Sequence, residues 1–306
     1  MVPAATCACP RCGRAMSDAA LVCGLCGHLL RRETSERAPG EVAIRPRPVA
    51  TAPPTSRAVE DASRARLEPW FYFGLGLVTA PVFALTPMLK YMGWFLASLV
   101  HEMGHAAMAW IFGMPAIPAI SIDGHAAAVH GEQQLFLLAL VALGLAAAAW
   151  RFLEGPARWI GLAAALVVHP LLALTGGKDL LHLLAGHGAE ILFAILCLWK
   201  ALDGGFTESR LERALYGTVG WFLVGKNAWL AFGLMTSADA RALYNENGSF
   251  GFTNDYLRVA HEVVGCRLEV VAAGMLVATV LAVPAALLLW RLRLRALSEA
   301  GLADSR

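Results

Sequence analysis

Apolar residues run along most of this chain in long stretches broken by short polar segments. From Trp70 onward the runs fall at about 70–89, 90–112, 134–151, 157–175, 179–202, 216–236 and 268–290. Several match the ~20 residues that a helix needs to cross a bilayer. The pattern predicts an all-α polytopic membrane protein with six or seven transmembrane helices, occupying residues 70–295. The pattern ahead of them differs. Residues 31–69 have no apolar period and are rich in Pro, Ala and Arg. They bury too little surface to offset the entropy of ordering, so they read as a disordered linker. Residues 296–306 form a C-terminal tail.

Composition agrees: 58% of residues are hydrophobic and 16% charged, with a mean hydropathy of +0.57, far from an ordinary soluble domain. A net charge of +2 gives no reason to expect nucleic acid. The start of the chain has no charged segment followed by an apolar one, so no cleavable signal is expected. Positive charges set the orientation. Arg57, Arg64 and Arg66 precede the first run, and the RLRLR segment at Arg291–Arg295 follows the last, so both ends are expected in the cytoplasm. Arg151 with Arg158, and Lys200 with Arg210 and Arg213, fit cytoplasmic loops if the last four runs all cross. Both ends inside requires an even number of crossings, so one early segment, which the run with Pro81 and Pro87 would suit, is re-entrant or incomplete.

Five of the seven cysteines fall in the first 26 residues. Cys9-Pro-Arg-Cys12-Gly and Cys23-Gly-Leu-Cys26-Gly are two CxxC pairs, each able to turn two thiolates toward one ion. Residues 1–30 therefore read as a zinc ribbon with a structural Zn2+ held by Cys9, Cys12, Cys23 and Cys26. Reduced thiols place it in the cytoplasm, where it is suited to a protein partner.

The polar residues inside the apolar runs carry the chemistry. Residues 99–110 read LVHEMGHAAMAW, so His101, Glu102 and His105 form HExxH. On a helix, residues four apart share a face, which lets His101 and His105 hold one zinc ion while Glu102 acts on water as the catalytic base. A carboxylate deep in a bilayer costs about 2.5 kcal/mol or more unless compensated, and a divalent cation compensates it. A second pair lies at matching depth in AGHGAEILF: His187 and Glu190, three apart on one face and flanked by Gly186 and Gly188. Lys226 and Asn227 interrupt a later run, where they suit substrate binding, a pairing with Glu190 or Asp203, or a hydrogen bond between helices. His169 precedes Pro170 and reads as a donor to a carbonyl that the proline frees, with His182 read similarly. His261-Glu262 lacks a second histidine, since Gly265 stands in its place. Residues 237–267 read as a turn-rich outer loop.

The segment LVHEMGHAAMAWIFGMP resembles the site-2 protease family of intramembrane zinc metalloproteases. The resemblance implies a zinc-dependent endopeptidase that cleaves in or near a membrane-spanning segment of a protein substrate. It also implies that residues 113–133, with Pro115, Pro118 and Asp123-Gly124, form a membrane-associated hairpin that receives substrate as an extended strand. His125 and His130 read as interfacial. The family's third ligand, an Asp in an LDG motif, would be Asp203 in ALDGG, although Ile195 and Leu198 stand where the motif has Asn and Pro. Depth in the helix favours Glu190 instead. Glu190 and Asp203 thus stand as alternative third ligands of a catalytic Zn2+, with His187 a further ligand or a support for one. The competing functions are an inactive homologue acting as an adaptor, and a proton or metal-ion transporter using the same polar residues.

Overall fold

The structure, a computed structural model, describes residues 6–8, 15–17, 56–121, 126–205, 207, 209–246 and 254–299. The chain divides into two units, Met1–Pro54 and Thr55–Arg306. In the first, strands β1 (Thr6–Ala8) and β2 (Ala15–Ser17) pair antiparallel with Cys7 opposite Met16. Cys9, Cys12, Cys23 and Cys26, the expected ribbon ligands, lie outside the described residues.

The second unit opens with helix α1 (Ser56–Leu85). Its start lies inside the stretch expected to be a disordered linker. Residues 56–69 are helical instead, and SRAVEDASRARLE explains why: Ala, Arg and Glu favour helix, and Glu60 stands four residues before Arg64. α1 meets α2 (Pro87–Ile111) at a bend of 105°. Thr86 sits at the bend with extended backbone, as steric conflict with the following proline ring requires. This break falls in the run expected to be re-entrant or incomplete.

A hairpin follows, β3 (Ala116–Ile120) antiparallel to β4 (Ala126–His130), with Pro118 opposite Ala128. Helix α3 (Leu135–Phe152) leads to α4 (Gly155–Ala163), which runs through a π-helical turn at Ala164–Val168 into α5 (His169–Ala173). Then come α6 (Gly177–Asp203) and α7 (Arg210–Thr236). Two short helices, α8 (Ala238–Glu246) and α9 (Asp255–Arg258), precede a π-helical turn at Val259–Val264 and the long α10 (Leu268–Glu299).

Among the described residues four stretches, Leu135–Phe152, Gly155–Ala173, Gly177–Asp203 and Leu268–Glu299, are long and apolar enough to cross a membrane, and the bent α1–α2 pair qualifies as one broken stretch. The architecture is compatible with an all-α membrane protein. Helix α7 is long enough but falls outside that group, since Lys226 and Asn227 interrupt its apolar run. It lies at the centre nonetheless, packed by α1, α6 and α10, while α2 packs on α6.

The ALDGG segment acts as a helix stop. Gly204 adopts a left-handed backbone (φ 64°) at the end of α6, a conformation that other residues enter at a cost. Arg213 then donates from Nε to the Ala201 carbonyl and from Nη2 to the Leu202 carbonyl, both at 2.7 Å. These bonds satisfy acceptors that the helix end leaves open.

Candidate metal centre

His101, Glu102 and His105 lie in the second half of α2, and Gly104 between them sets how closely α2 meets α6. A Cβ at Gly104 would strike the Ala185 carbonyl oxygen and come within 2.5 Å of the Ala189 Cβ. With hydrogen there instead, the two histidines reach α6, one its backbone and one a side chain. His105 Nδ1 donates to the His182 carbonyl at 2.8 Å. His101 Nδ1 donates to Glu190 Oε1 at 3.0 Å.

Those two bonds fix the tautomers. A carbonyl only accepts, so His105 carries its proton on Nδ1 and leaves a lone pair on Nε2. Glu190 does the same for His101, because its other oxygen already accepts from Lys226 Nζ and Asn227 Nδ2, each at 2.7 Å. The two Nε2 atoms then point at each other, 3.1 Å apart, and each lies 3.0 Å from Asp255 Oδ2. With both rings neutral, three lone-pair atoms converge on one spot, an arrangement that is repulsive until a proton or a metal cation enters it.

The spacing suits a metal ion. A tetrahedral zinc with bonds of about 2.0–2.1 Å holds its ligand atoms about 3.3 Å apart, close to the triangle formed by His101, His105 and Asp255. Gly186 keeps the triangle clear: a Cβ there would lie 2.5 Å from His105 Nε2 and closer still to His101 Nε2. A looser set exists as well, since ligand atoms of His101, His187 and Asp255 fall within 4.8 Å of one another. His187 donates from Nδ1 to Asn227 Oδ1 at 3.1 Å, which leaves its Nε2 available to that set.

The acid that meets both Nε2 atoms is Asp255, where the sequence offered Glu190 and Asp203. Asp203 sits at the far end of α6, about 20 Å from Glu190 at 1.5 Å per residue, where its buried carboxylate pairs with Arg293 at 2.8 Å. Glu190 belongs to the site but touches His101 from behind, on Nδ1, and both its oxygens are engaged. Carboxylates in this position orient a ligating imidazole and raise its basicity. Lys226 and Asn227 hold that carboxylate in turn.

Asp255 comes from the segment expected to be an outer loop, at the first residue of α9. Next to it, Tyr256 and Leu257 are buried against Leu234, Leu268 and Met275, and the Tyr256 ring lies 4.5 Å from that of His187. Asn254 Nδ2 donates to the Tyr244 carbonyl, tying α9 to α8. Burial pushes the nearby Tyr244 hydroxyl up, as does the charge of Asp255.

The remaining histidines divide. His169 donates from Nε2 to the Ile111 carbonyl at 2.8 Å, the end of α2 rather than a carbonyl freed by Pro170. Glu262 pairs with Arg258 at 3.2 Å, away from the triangle. His182 and His130, in contrast, extend a row of imidazoles: His187, His101, His105, His182 and His130 follow one another at ring separations of 4.5, 4.8, 5.1 and 5.2 Å.

The row borders a cavity of about 570 Å³ whose walls include Glu102, Lys226, Tyr244, Asp255 and strand β4. Gly131 N donates to the Pro115 carbonyl at 2.8 Å, which makes Pro115–Gly131 a hydrogen-bonded pair. By the antiparallel alternation, Ala126, Ala128 and His130 then turn their backbone N–H and C=O groups away from β3. Pro118, which has no N–H to give, stands at one of these outward pairs. Glu102 and Ala128 both line this cavity, so this outward edge borders the site.

No family model matches this chain, and no curated protein or solved structure matches it.

Proposed function

We propose that this protein is an integral-membrane zinc endopeptidase, cleaving an extended segment of a membrane-protein substrate. One observation carries the reading: His101 Nε2, His105 Nε2 and Asp255 Oδ2 converge within 3.1 Å beside the Glu102 of the same HExxH. The likeness of LVHEMGHAAMAWIFGMP to site-2 proteases supports the same class. His101, His105 and Asp255 would hold the ion, with Glu190 behind His101 and the His182 carbonyl behind His105. Zinc in that place supplies Lewis-acid activation of water and of a carbonyl at neutral pH.

The chain's own residues provide the rest. Glu102 takes the proton of the attacking water and returns it to the leaving amine. A substrate backbone in lipid satisfies its polar groups internally as helix, so cleavage requires it to unwind. The free edge of β4 offers replacement partners for the unwound strand. The cavity is within the usual size range of ligand sites and has room for water.

In the finer topology, α7 crosses the membrane as a protein-lined central helix, which with the stretches above gives six or seven helical crossings. The N-terminal zinc ribbon is cytoplasmic and binds a protein partner. A transporter would need its charges free to exchange, whereas Lys226 is bound to Glu190 at 2.7 Å. The test is cleavage of membrane-protein substrates by purified protein. The reading expects zinc-dependent cleavage that Glu102→Gln abolishes, and it fails if Glu102→Gln cleaves as well as the parent.

A further inference from the structure

His182 has no task in the chemistry above. Its ring lines the cavity next to His105 and His130. Its Nδ1 is buried without a hydrogen-bond partner among the described residues. A buried nitrogen in that state is tolerated more readily as a bare lone pair than as an orphaned N–H. The proton of the neutral ring therefore sits on Nε2.

Strand β4 relates this ring to the base. Ala128 and His130 both present their backbone on the edge turned away from β3. Glu102 and the His182 ring both line the cavity beside these two residues, the His182 ring meeting that of His130 at 5.2 Å. An extended chain lying in the cavity alongside β4 passes Ala128 and then His130 over two residues, about 7 Å. A base and a neutral hydrogen-bond donor thus flank one stretch of extended chain.

We propose that His182 is a catalytic residue whose Nε2–H donates to the carbonyl oxygen of the scissile peptide. The inference rests on the peptidase reading and adds the group that holds the developing charge. As water oxygen bonds to the carbonyl carbon, the C=O π pair moves onto oxygen, Glu102 takes the water proton, and His182 donates to that oxygen. When the C=O bond reforms, the C–N bond breaks, the amine takes the proton from Glu102, and His182 has kept its own throughout. A donor aimed at such an oxygen typically contributes a factor of about 10²–10³ in rate.

The test uses the full chain in detergent with two probes: fluorescein-labelled casein, an unfolded chain able to lie as a strand, and a phosphinic peptide, which mimics the tetrahedral anion. His182→Phe is expected to lower kcat on casein by about 10²–10³ while KM stays within threefold. It should weaken phosphinic-peptide binding by a similar factor and keep the parent's zinc content. His182→Gln, which retains an N–H donor at a different reach, should recover part of both losses while staying more than threefold below the parent, and it serves alone if the Phe variant does not fold. Cleavage and phosphinic-peptide binding within threefold of the parent in either variant, or loss of zinc from His182→Gln, overturns the assignment. A parent protein that neither cleaves casein nor binds the phosphinic peptide overturns the peptidase reading itself, a separate result.

Discussion

The Lys226 ammonium lies 2.7 Å from the Glu190 carboxylate, whose side chain is only 1% exposed. The other oxygen of that carboxylate holds His101, so one lysine on α7 compensates the charge that orients a histidine on α2. Removing Lys226 leaves a buried carboxylate short of a partner. Lys226→Met should lower stability by about 3 kcal/mol, the lower end for breaking a buried pair, because part of the lysine is exposed. Thermal unfolding in detergent checks it, and Lys226→Met/Glu190→Gln should regain much of the loss. A double variant less stable than either single one would refute the pairing.

Glu190 and Asp255 both touch His101, yet their loss should read differently. Glu190→Gln keeps an acceptor behind the ring and should weaken membrane-domain zinc by about 10–100-fold, as for other carboxylates that orient a ligating histidine. Asp255→Asn should cost far more, because a ligand oxygen loses its charge. Competition against a zinc chelator ranks the two, and the reverse order would exchange their roles.

Asp203 gives the control. Its partner is Arg293 at 2.8 Å, so Asp203→Ala should leave zinc content unchanged while destabilising the packing of α6 on α10. Zinc analysis and thermal unfolding on the same sample separate the two effects. Loss of zinc with unchanged unfolding would return Asp203 to the ligand set.

Two glycines on α6 make a matched pair. A Cβ at Gly186 meets His101 and His105 Nε2 within 2.5 Å, whereas one at Gly188 meets nothing within 4 Å. Gly186→Ala should reduce zinc binding sharply, and Gly188→Ala should leave it intact while favouring the helix by up to about 1 kcal/mol. Equal zinc in both variants would mean that the two histidines do not converge at Gly186.

What the sequence makes legible is what sits close together along it. The i, i+4 histidines and the Lys226–Glu190 pairing follow from local spacing or from charge at matching depth, and the hairpin after α2 from the resemblance. Asp255 does not, because it stands 154 residues beyond His101 in a four-residue helix. There its acid looks like an ordinary first-turn residue favoured by the helix dipole. ALDGG misleads for a related reason. A left-handed glycine after a buried acid marks a helix end as readily as a ligand, and only the contacts with Arg213 and Arg293 tell the two apart. The helical start at Ser56 shows that Pro-rich composition upstream does not carry into the Ala- and Arg-rich segment that follows.

The central claim is that His101, His105 and Asp255 hold one zinc ion. Its most direct measurement is the zinc content per chain of the purified full-length protein and of Asp255→Ala, side by side at equal protein concentration and with unfolding curves to show that both are folded. A folded variant that has lost one equivalent of zinc is the predicted result. Equal zinc in the two proteins would contradict it.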